Sequence, residues 1–363
     1  MGFRCGIIGL PNVGKSTLFN ALTQSRAAAE NYPFCTVEPN IGAVSVPDPR
    51  LLEIAKAVEP QKIVPAMMEF VDIAGLVPGA SKGEGLGNRF LAHIREVDAL
   101  AHVVRLFPSQ DITHIIEQVD PCRDIDLIRT ELALADLEAL ERAIEKVGRS
   151  AKTGDKTQLR ILHEYETAHN ELAEGRSLAS DVTEVLTSTA LSELSLLTMK
   201  PVVYIVNVGE DEDTDDEQID RIRHIATGDQ SEVLLVSAKI EDELSLLSSD
   251  DKVIFLKELG LVESGLDKLI RAGYRLLGLH TFFTAGPNEV RAWTIPLGAS
   301  APEAARKIHT DFERGFIRAE TVSYNDFILL GGEQGAKEAG RLRLEGRDYI
   351  VQDGDIMNFR FNV

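Results

Sequence analysis

Short apolar runs alternate with stretches of helical spacing through the first 120 or so residues of the chain, and again from about residue 200 to 278. Strands covered by helices on both faces read as continuous apolar runs, so the alternation predicts an α/β domain built on a doubly wound parallel sheet. Strands are expected at Arg4 to Gly9, Asn40 to Val46, Ala66 to Asp72, Ala99 to Arg105, Val202 to Asn207 and Glu232 to Ser237, with a helix over Thr17 to Thr23.

The stretch from Cys122 to Met199 interrupts that rhythm, with almost no strand signal and many Leu, Ala and Glu residues. Within it Ala133, Leu137, Leu140, Ile144 and Val147 recur at alternating intervals of four and three, which keeps them on one helical seam. This predicts an inserted antiparallel coiled-coil hairpin that turns between Gly148 and Gly154, both poor helix formers. A plain helical bundle packed on the first domain is the competing reading, because two heptads are few for a coiled coil.

From about Leu279 the pattern becomes β-rich. Strands are expected at His280 to Thr284, Val290 to Ile295, Gly340 to Leu344 and Met357 to Phe361, and a helix at Pro302 to His309, with Pro302 suited to its first turn. Three domains result: residues 1–121 with 200–278, a helical insertion at 122–199, and a last domain at 279–363.

Composition narrows the class without changing that plan. Hydrophobic residues make up 44% and charged residues 26%, which excludes a disordered chain. No apolar run reaches the roughly 18 residues that a membrane helix needs. The amino terminus reads as a buried strand rather than a signal peptide, and Cys5, Cys35 and Cys122 form no CxxC pair. A reducing, cytoplasmic setting is the expectation. The chain carries 38 Lys and Arg against 58 Asp and Glu, a net charge of −20, which excludes a generally basic nucleic-acid coat or a polybasic membrane binder. The charge is uneven, however: residues 280–363 have a net charge of −2 and residues 1–279 one of −18.

The strongest chemical signal is Gly9-Leu10-Pro11-Asn12-Val13-Gly14-Lys15-Ser16, a GxxxxGK[ST] match between a strand and the helix that begins near Thr17. The glycines let backbone N–H groups of Asn12, Val13, Gly14 and Thr17 turn toward phosphates, Lys15 reaches the β and γ oxygens, and the Ser16 hydroxyl can ligate Mg²⁺. Val71-Asp72-Ile73-Ala74-Gly75 supplies a DxxG at a strand end, with Asp72 holding the Mg²⁺ shell through water and Gly75 N–H sensing the γ-phosphate. Thr36, in the loop between these motifs, is the candidate to complete the metal contacts, with Thr23 as its rival. Ser237-Ala238-Lys239 follows the last strand of the domain as a loop that backs a base. Asn12 also offers a position for a monovalent cation such as K⁺ against the phosphates.

These motifs, in this order over the whole chain, resemble the translation-factor class of P-loop GTPases and specifically the YchF family, the Obg-like ATPases. The ending Leu342 to Asp355 resembles a TGS domain, a small ubiquitin-like β-grasp module. The base-recognition motif departs from NKxD: the chain has Asn207-Val208-Gly209-Glu210, so Lys is replaced by Val and Asp by Glu. Guanine is read through its N1–H and 2-amino donors, which adenine lacks, so a displaced carboxylate need not favour guanine. The resemblance implies ATP in preference to GTP, with Asn207 and neighbouring backbone, including Val208, reading the base. A true GTPase with relaxed base specificity, or a nucleotide-gated adaptor with incidental turnover, are the alternatives.

Leu76 stands where small GTPases place a water-orienting Gln, so slow hydrolysis is expected; His114, in the loop after the fourth expected strand, is the candidate substitute. His93 and His102 read as members of a helix and a strand. Residues 146–160 hold Lys146, Arg149, Lys152, Lys156 and Arg160 against Asp155, a local charge of +4 at the hairpin tip. With Arg341, Arg343 and Arg347 of the last domain, the tip suits contact with RNA phosphates. The resemblance implies ribosome binding, through the large subunit, and neither membrane nor DNA as a partner.

Overall fold

The computed structural model describes residues 3–24, 40–74, 86–107, 119–152, 155–178, 189–210 and 215–362. They divide into two compact units, Met1–Ala43 with Glu69–Gly273, and Val44–Met68 with Tyr274–Val363. Among the described residues no helix is long and apolar enough to cross a membrane.

The first unit is built on six strands: β1 (Arg4–Ile8), β2 (Ile41–Ser45), β4 (Met67–Asp72), β5 (Ala99–Arg105), β6 (Val202–Asn207) and β7 (Glu232–Val236). Their order is β2-β4-β1-β5-β6-β7, and the pairs from β4 to β7 are parallel. Every residue of β5 is buried, as are five of the six in β6, which is why these strands read as unbroken apolar runs. From β1 the chain builds β2 and β4 on one side and then β5 on the other, so a switch in winding direction falls at the carboxyl end of β1. Ligands of open α/β sheets bind at such a point.

The inserted helices are Pro121–Ala151 and Lys156–Ala173, followed by a short helix Thr189–Leu194 and a 3₁₀ turn Leu197–Met199. All five seam residues join one core: Leu140 is fully buried, and Ala133, Leu137, Ile144 and Val147 pack partly buried around Tyr165, Ala168 and Leu172. The hairpin turns inside the expected interval from Gly148 to Gly154: the first helix runs through Gly148 to Ala151 and the second begins at Lys156. One detail of the sequence reading is corrected: the boundary at residue 121 cuts through a packed core, since Cys122 and Ile125, from the first turns of the long helix, are buried with Val104, Tyr204 and Val206 of the sheet. The same helix is tied down by Arg129, which bonds Asp229 at 3.0 Å while Tyr204 donates to the other oxygen at 2.6 Å.

The second unit holds β8 (Leu279–Ala285), β9 (Glu289–Pro296), β10 (Phe316–Val322), β11 (Arg343–Glu345) and β12 (Ile356–Phe361) in the order β11-β10-β12-β8-β9. The first and last of these, β8 and β12, are parallel neighbours, and the outer pairs are antiparallel. The helix Ala301–Ile308 crosses between β9 and β10, opened by a Ser300/Glu303 capping box. This is the β-grasp topology. Its core gathers Phe282, Ile295, Ala304, Ala305, Phe316, Ala319, Met357 and Phe359. Strand β10 was not among the expected strands.

A larger departure concerns residues 44–68, which the sequence reading assigned to the nucleotide domain. They hold the helix Pro49–Val58 and β3 (Lys62–Val64), and β3 adds to the free edge of β9 in parallel, Lys62 opposite Glu289. Arg50 fastens that helix by bonding Asp48 at 2.8 Å and Asp353 at 2.7 Å, with its guanidinium 5.4 Å from the Phe283 ring. The segment therefore belongs with the C-terminal unit although it is enclosed in sequence between β2 and β4.

Candidate nucleotide site

Strand register brings the candidate residues to one end of the first sheet. Ile7 of β1 lies opposite Asp72, and Asn207 of β6 lies between Arg105 and Val236. The phosphate loop leaves β1, and the helix Lys15–Gln24 starts inside the motif, with Leu18 N–H bonded to the Gly14 carbonyl at 3.0 Å. That helix end turns unpaired N–H groups toward the loop, a ready anion site. Asn12 has left-handed backbone (φ 63°), and so does Gly14 (φ 101°). At Gly14 a side chain has no room: a Cβ would lie 2.3 Å from the Asn207 amide nitrogen.

Lys15 is buried, and its ammonium donates to the Leu10 carbonyl at 2.7 Å. Burial pushes its pKa down from 10.5 to about 8, against the pull of the Asp72 carboxylate. The Ser16 hydroxyl donates to Asp72 Oδ2 at 3.2 Å, while Asp72 Oδ1 is buried and has no partner among the described residues. Hydroxyl and carboxylate oxygens with an unused lone pair are the hard donors that Mg²⁺ takes, together with phosphates and water. Among the described residues no group of three or more His, Cys, Asp or Glu could hold a metal by itself.

The base side is organised by Asn207. Its amide nitrogen donates to the Val13 carbonyl at 3.0 Å and its amide oxygen accepts from Ala238 N–H at 3.0 Å, all of it buried. One side chain thus fastens the phosphate loop to the first residue of the helix Ala238–Ser245, which follows β7, and one amide hydrogen remains for a base. Val208 is half-buried beside it, its N–H bonded to the Val236 carbonyl. Ser237 Oγ is buried without a partner among the described residues. Glu210 is exposed and pairs with Lys239 at 2.6 Å.

Lys15, Ser16 and Asp72 are thus brought together, and Asn207 joins Val13 and Ala238. Thr17 is exposed in the first helical turn. Thr36, Gly75 and His114 lie outside the described residues, as does Leu76. His102 is a buried member of β5, beside Tyr204, and burial pulls its pKa down to about 3, which keeps the ring neutral. Two contacts escaped the sequence reading. The Leu10 carbonyl that holds Lys15 is a backbone group without a residue signature, and Lys239 stands in a motif already singled out but without a partner assigned.

Comparison with known proteins places this geometry. A family model described as a 50S ribosome-binding GTPase matches residues 4–135. A second, for the YchF GTPase C-terminal domain and described as a protein of unknown function, matches residues 279–362. The chain is 57% identical over 366 residues to the ribosome-binding ATPase YchF of Pasteurella multocida, and 56% identical over 363 residues to that of Escherichia coli O157:H7, in each case over the whole of both chains. Among solved structures it resembles the YchF GTPase of Schizosaccharomyces pombe, with a TM-score of 0.87 at 34% identity, covering 99% of this chain and 98% of that one. Identity of this order from end to end, on a phosphate loop, a DxxG strand and a β-grasp domain in the same sequence, makes the chain a member of the YchF family of P-loop nucleoside triphosphatases.

Proposed function

We propose that this protein binds ATP with Mg²⁺ in preference to GTP, hydrolyses it slowly, and uses the cycle as a conformational switch on the ribosome. The observation that carries the base preference is the Asn207-Val208-Gly209-Glu210 segment: Asn207 keeps one amide hydrogen for a base, and no Asp stands where guanine's two donors are read. The relatives' names, ribosome-binding ATPase, agree with it. A GTPase reading rests on the words used for the S. pombe structure and for the amino-terminal family model.

Hydrolysis is in-line attack of water on the γ-phosphate. Lys15 and the N–H groups of Val13, Gly14 and Ser16 stabilise the charge that develops on phosphate oxygens. Ser16 and Asp72, with Thr36, would hold Mg²⁺, which neutralises charge on the β and γ oxygens when bound. Gly75 senses the γ-phosphate in this reading, His114 orients the water, and Asn12 ligates a K⁺ ion. Nucleotide-free protein titrated with ATP and GTP in K⁺ and in Na⁺ salts tests the set. ATP is expected to bind at least tenfold more tightly and to turn over faster in K⁺. A tenfold preference for GTP overturns the base assignment, and equal turnover in the two salts overturns the K⁺ site.

In this reading ribosome contact is made with the large subunit through the hairpin tip and the TGS-like domain, and the protein works in the cytoplasm. Lys146, Lys152 and Lys156 are exposed at the tip, whereas Arg149 pairs with Glu145 and Arg160 with Glu164. In the last domain the arginines are more engaged than their sequence suggests: Arg343 bonds Tyr349 at 3.1 Å and Asp355 at 3.3 Å, and Arg347 bonds the Phe316 carbonyl at 3.2 Å. The tip lysines therefore carry more of the expected phosphate contact. Reversing Lys146, Arg149 and Lys152 to Glu is expected to cut co-sedimentation with 50S particles at least tenfold at 100 mM salt, with ATP hydrolysis in free solution unchanged. Undiminished co-sedimentation removes the tip from the interface.

A further inference from the structure

The exposed apolar side chains of this protein are unevenly spread. Of the seventeen large ones exposed among the described residues, seven fall within residues 246–262. Scattered singly, such residues are ordinary on a protein surface, whereas a concentration of them marks a contact site. Val262 is fully exposed and Leu246 is 74% exposed, while Val253 and Ile254 stand side by side on the helix Ser249–Glu258 at 67% and 57%. That helix does not owe its shape to burial of this face. Ser248 caps its start by accepting from Asp251 N–H at 3.2 Å, and a Schellman motif closes its end. Gly260 there is left-handed (φ 67°), its N–H bonds the Lys257 carbonyl, and Leu261 N–H bonds the Leu256 carbonyl. Leu256, turned the other way, is buried. The turn-helix-turn is therefore a preformed surface, on which a partner docks with little cost in ordering it.

Charge says what kind of partner fits. Glu243, Asp250, Asp251 and Glu258 are exposed among these apolar residues, against Lys257, and Lys252 is turned toward Asp267 at 4.0 Å. A nucleic acid or an anionic membrane meets repulsion here, and a second copy of the same surface would set carboxylates against carboxylates. We propose that residues 246–262 dock a basic amphipathic segment of another protein, whose apolar side chains cover Val253, Ile254 and Val262 and whose Lys or Arg residues meet the four carboxylates. This contact is separate from the phosphate contacts expected of the basic hairpin tip.

The experiment uses the full-length protein and two labelled peptides of about 18 residues, each with Leu along one helical face and either Lys or Glu at the remaining positions. Fluorescence anisotropy is expected to show the Leu/Lys peptide bound at least tenfold more tightly than the Leu/Glu peptide. Val253→Ser/Ile254→Ser and, separately, Asp250→Lys/Glu258→Lys should each weaken that binding at least fivefold, with melting temperature and ATP turnover unchanged. Asp216→Lys/Glu217→Lys, which reverses as much charge at another acidic stretch, should leave it intact. Equal binding by wild type and the serine variant, or equal loss in all three variants, means only general attraction of a cationic peptide to an acidic protein and overturns the inference. So does a concentration-dependent dimer of the wild type in sedimentation velocity that the serine variant abolishes, or binding of poly(U) RNA that the serine variant loses.

Discussion

Lys15→Ala is expected to lower ATP hydrolysis by about 10²–10³-fold, the scale for removing one preorganised donor to developing charge. It should do so without unfolding the protein. A buried ammonium whose pKa has fallen from 10.5 to about 8 is held at a cost of about 3 kcal/mol relative to water. Alanine removes that cost and leaves only the Leu10 carbonyl without its partner, worth about 1–3 kcal/mol. Melting of the nucleotide-free variant should therefore match wild type or exceed it while turnover collapses, and a parallel loss of stability would show that Lys15 is structural. The same pKa gives a pH signature. Phosphate contact raises the pKa, so affinity linked to this proton is fully present below the nucleotide-free value of about 8 and declines above it, by up to tenfold per pH unit until the bound value is passed. Isothermal titration of ATP between pH 7 and 9.5 reads this directly, and the decline should vanish in Lys15→Ala.

Asn207→Ala is the second large effect expected, and it works through folding and binding together. Both ends of the amide are buried and bonded, to Val13 and to Ala238, so truncation strands one carbonyl and one N–H. At about 1–3 kcal/mol for each of the two stranded groups, the nucleotide-free protein should lose about 2–6 kcal/mol in urea titration. ATP affinity should fall at least tenfold because the phosphate loop and the base-side loop lose their common tie. Gly14→Ala attacks the same contact from the other side, since the new Cβ would meet the Asn207 amide at 2.3 Å on a backbone with φ of 101°. If Asn207 only touched the base, Asn207→Ala would weaken ATP binding and leave urea stability unchanged.

The phosphate loop was legible in the sequence because its chemistry is local. Glycines at fixed spacing, a lysine and a serine dictate backbone turns and an anion site within eight residues, whatever the rest of the chain does. The sheet strands were legible for a related reason: burial on both faces leaves no polar alternation, so β5 and β6 announce themselves. The hairpin seam was visible because a 4-3 spacing keeps Ala133, Leu137, Leu140, Ile144 and Val147 on one helical face, where they share a core.

What escaped were pairings between distant segments. Strand β3 has three residues, two of them exposed, and only its parallel match to β9 more than two hundred residues later makes it a strand. Strand β10 mixes exposed Ile317 and Arg318 with buried Phe316 and Ala319, a pattern that neither strict alternation nor continuous burial predicts. The ion pair of Glu210 with Lys239, and the bond from Lys15 to the Leu10 carbonyl, depend on where loops meet in space.

By itself, then, the sequence determined the phosphate-binding chemistry, the parallel sheet that presents it and the helical seam, each of which is set by propensity and spacing over a turn or a strand. Only the tertiary structure decided that residues 44–68 belong with the C-terminal unit, that the long helix begins inside the core of the nucleotide domain, and that Asn207 ties the phosphate loop to the start of the helix after β7. Those outcomes turn on edge pairing, shared burial and satisfied hydrogen bonds between remote residues, and no local pattern encodes which remote partner will be there to supply them.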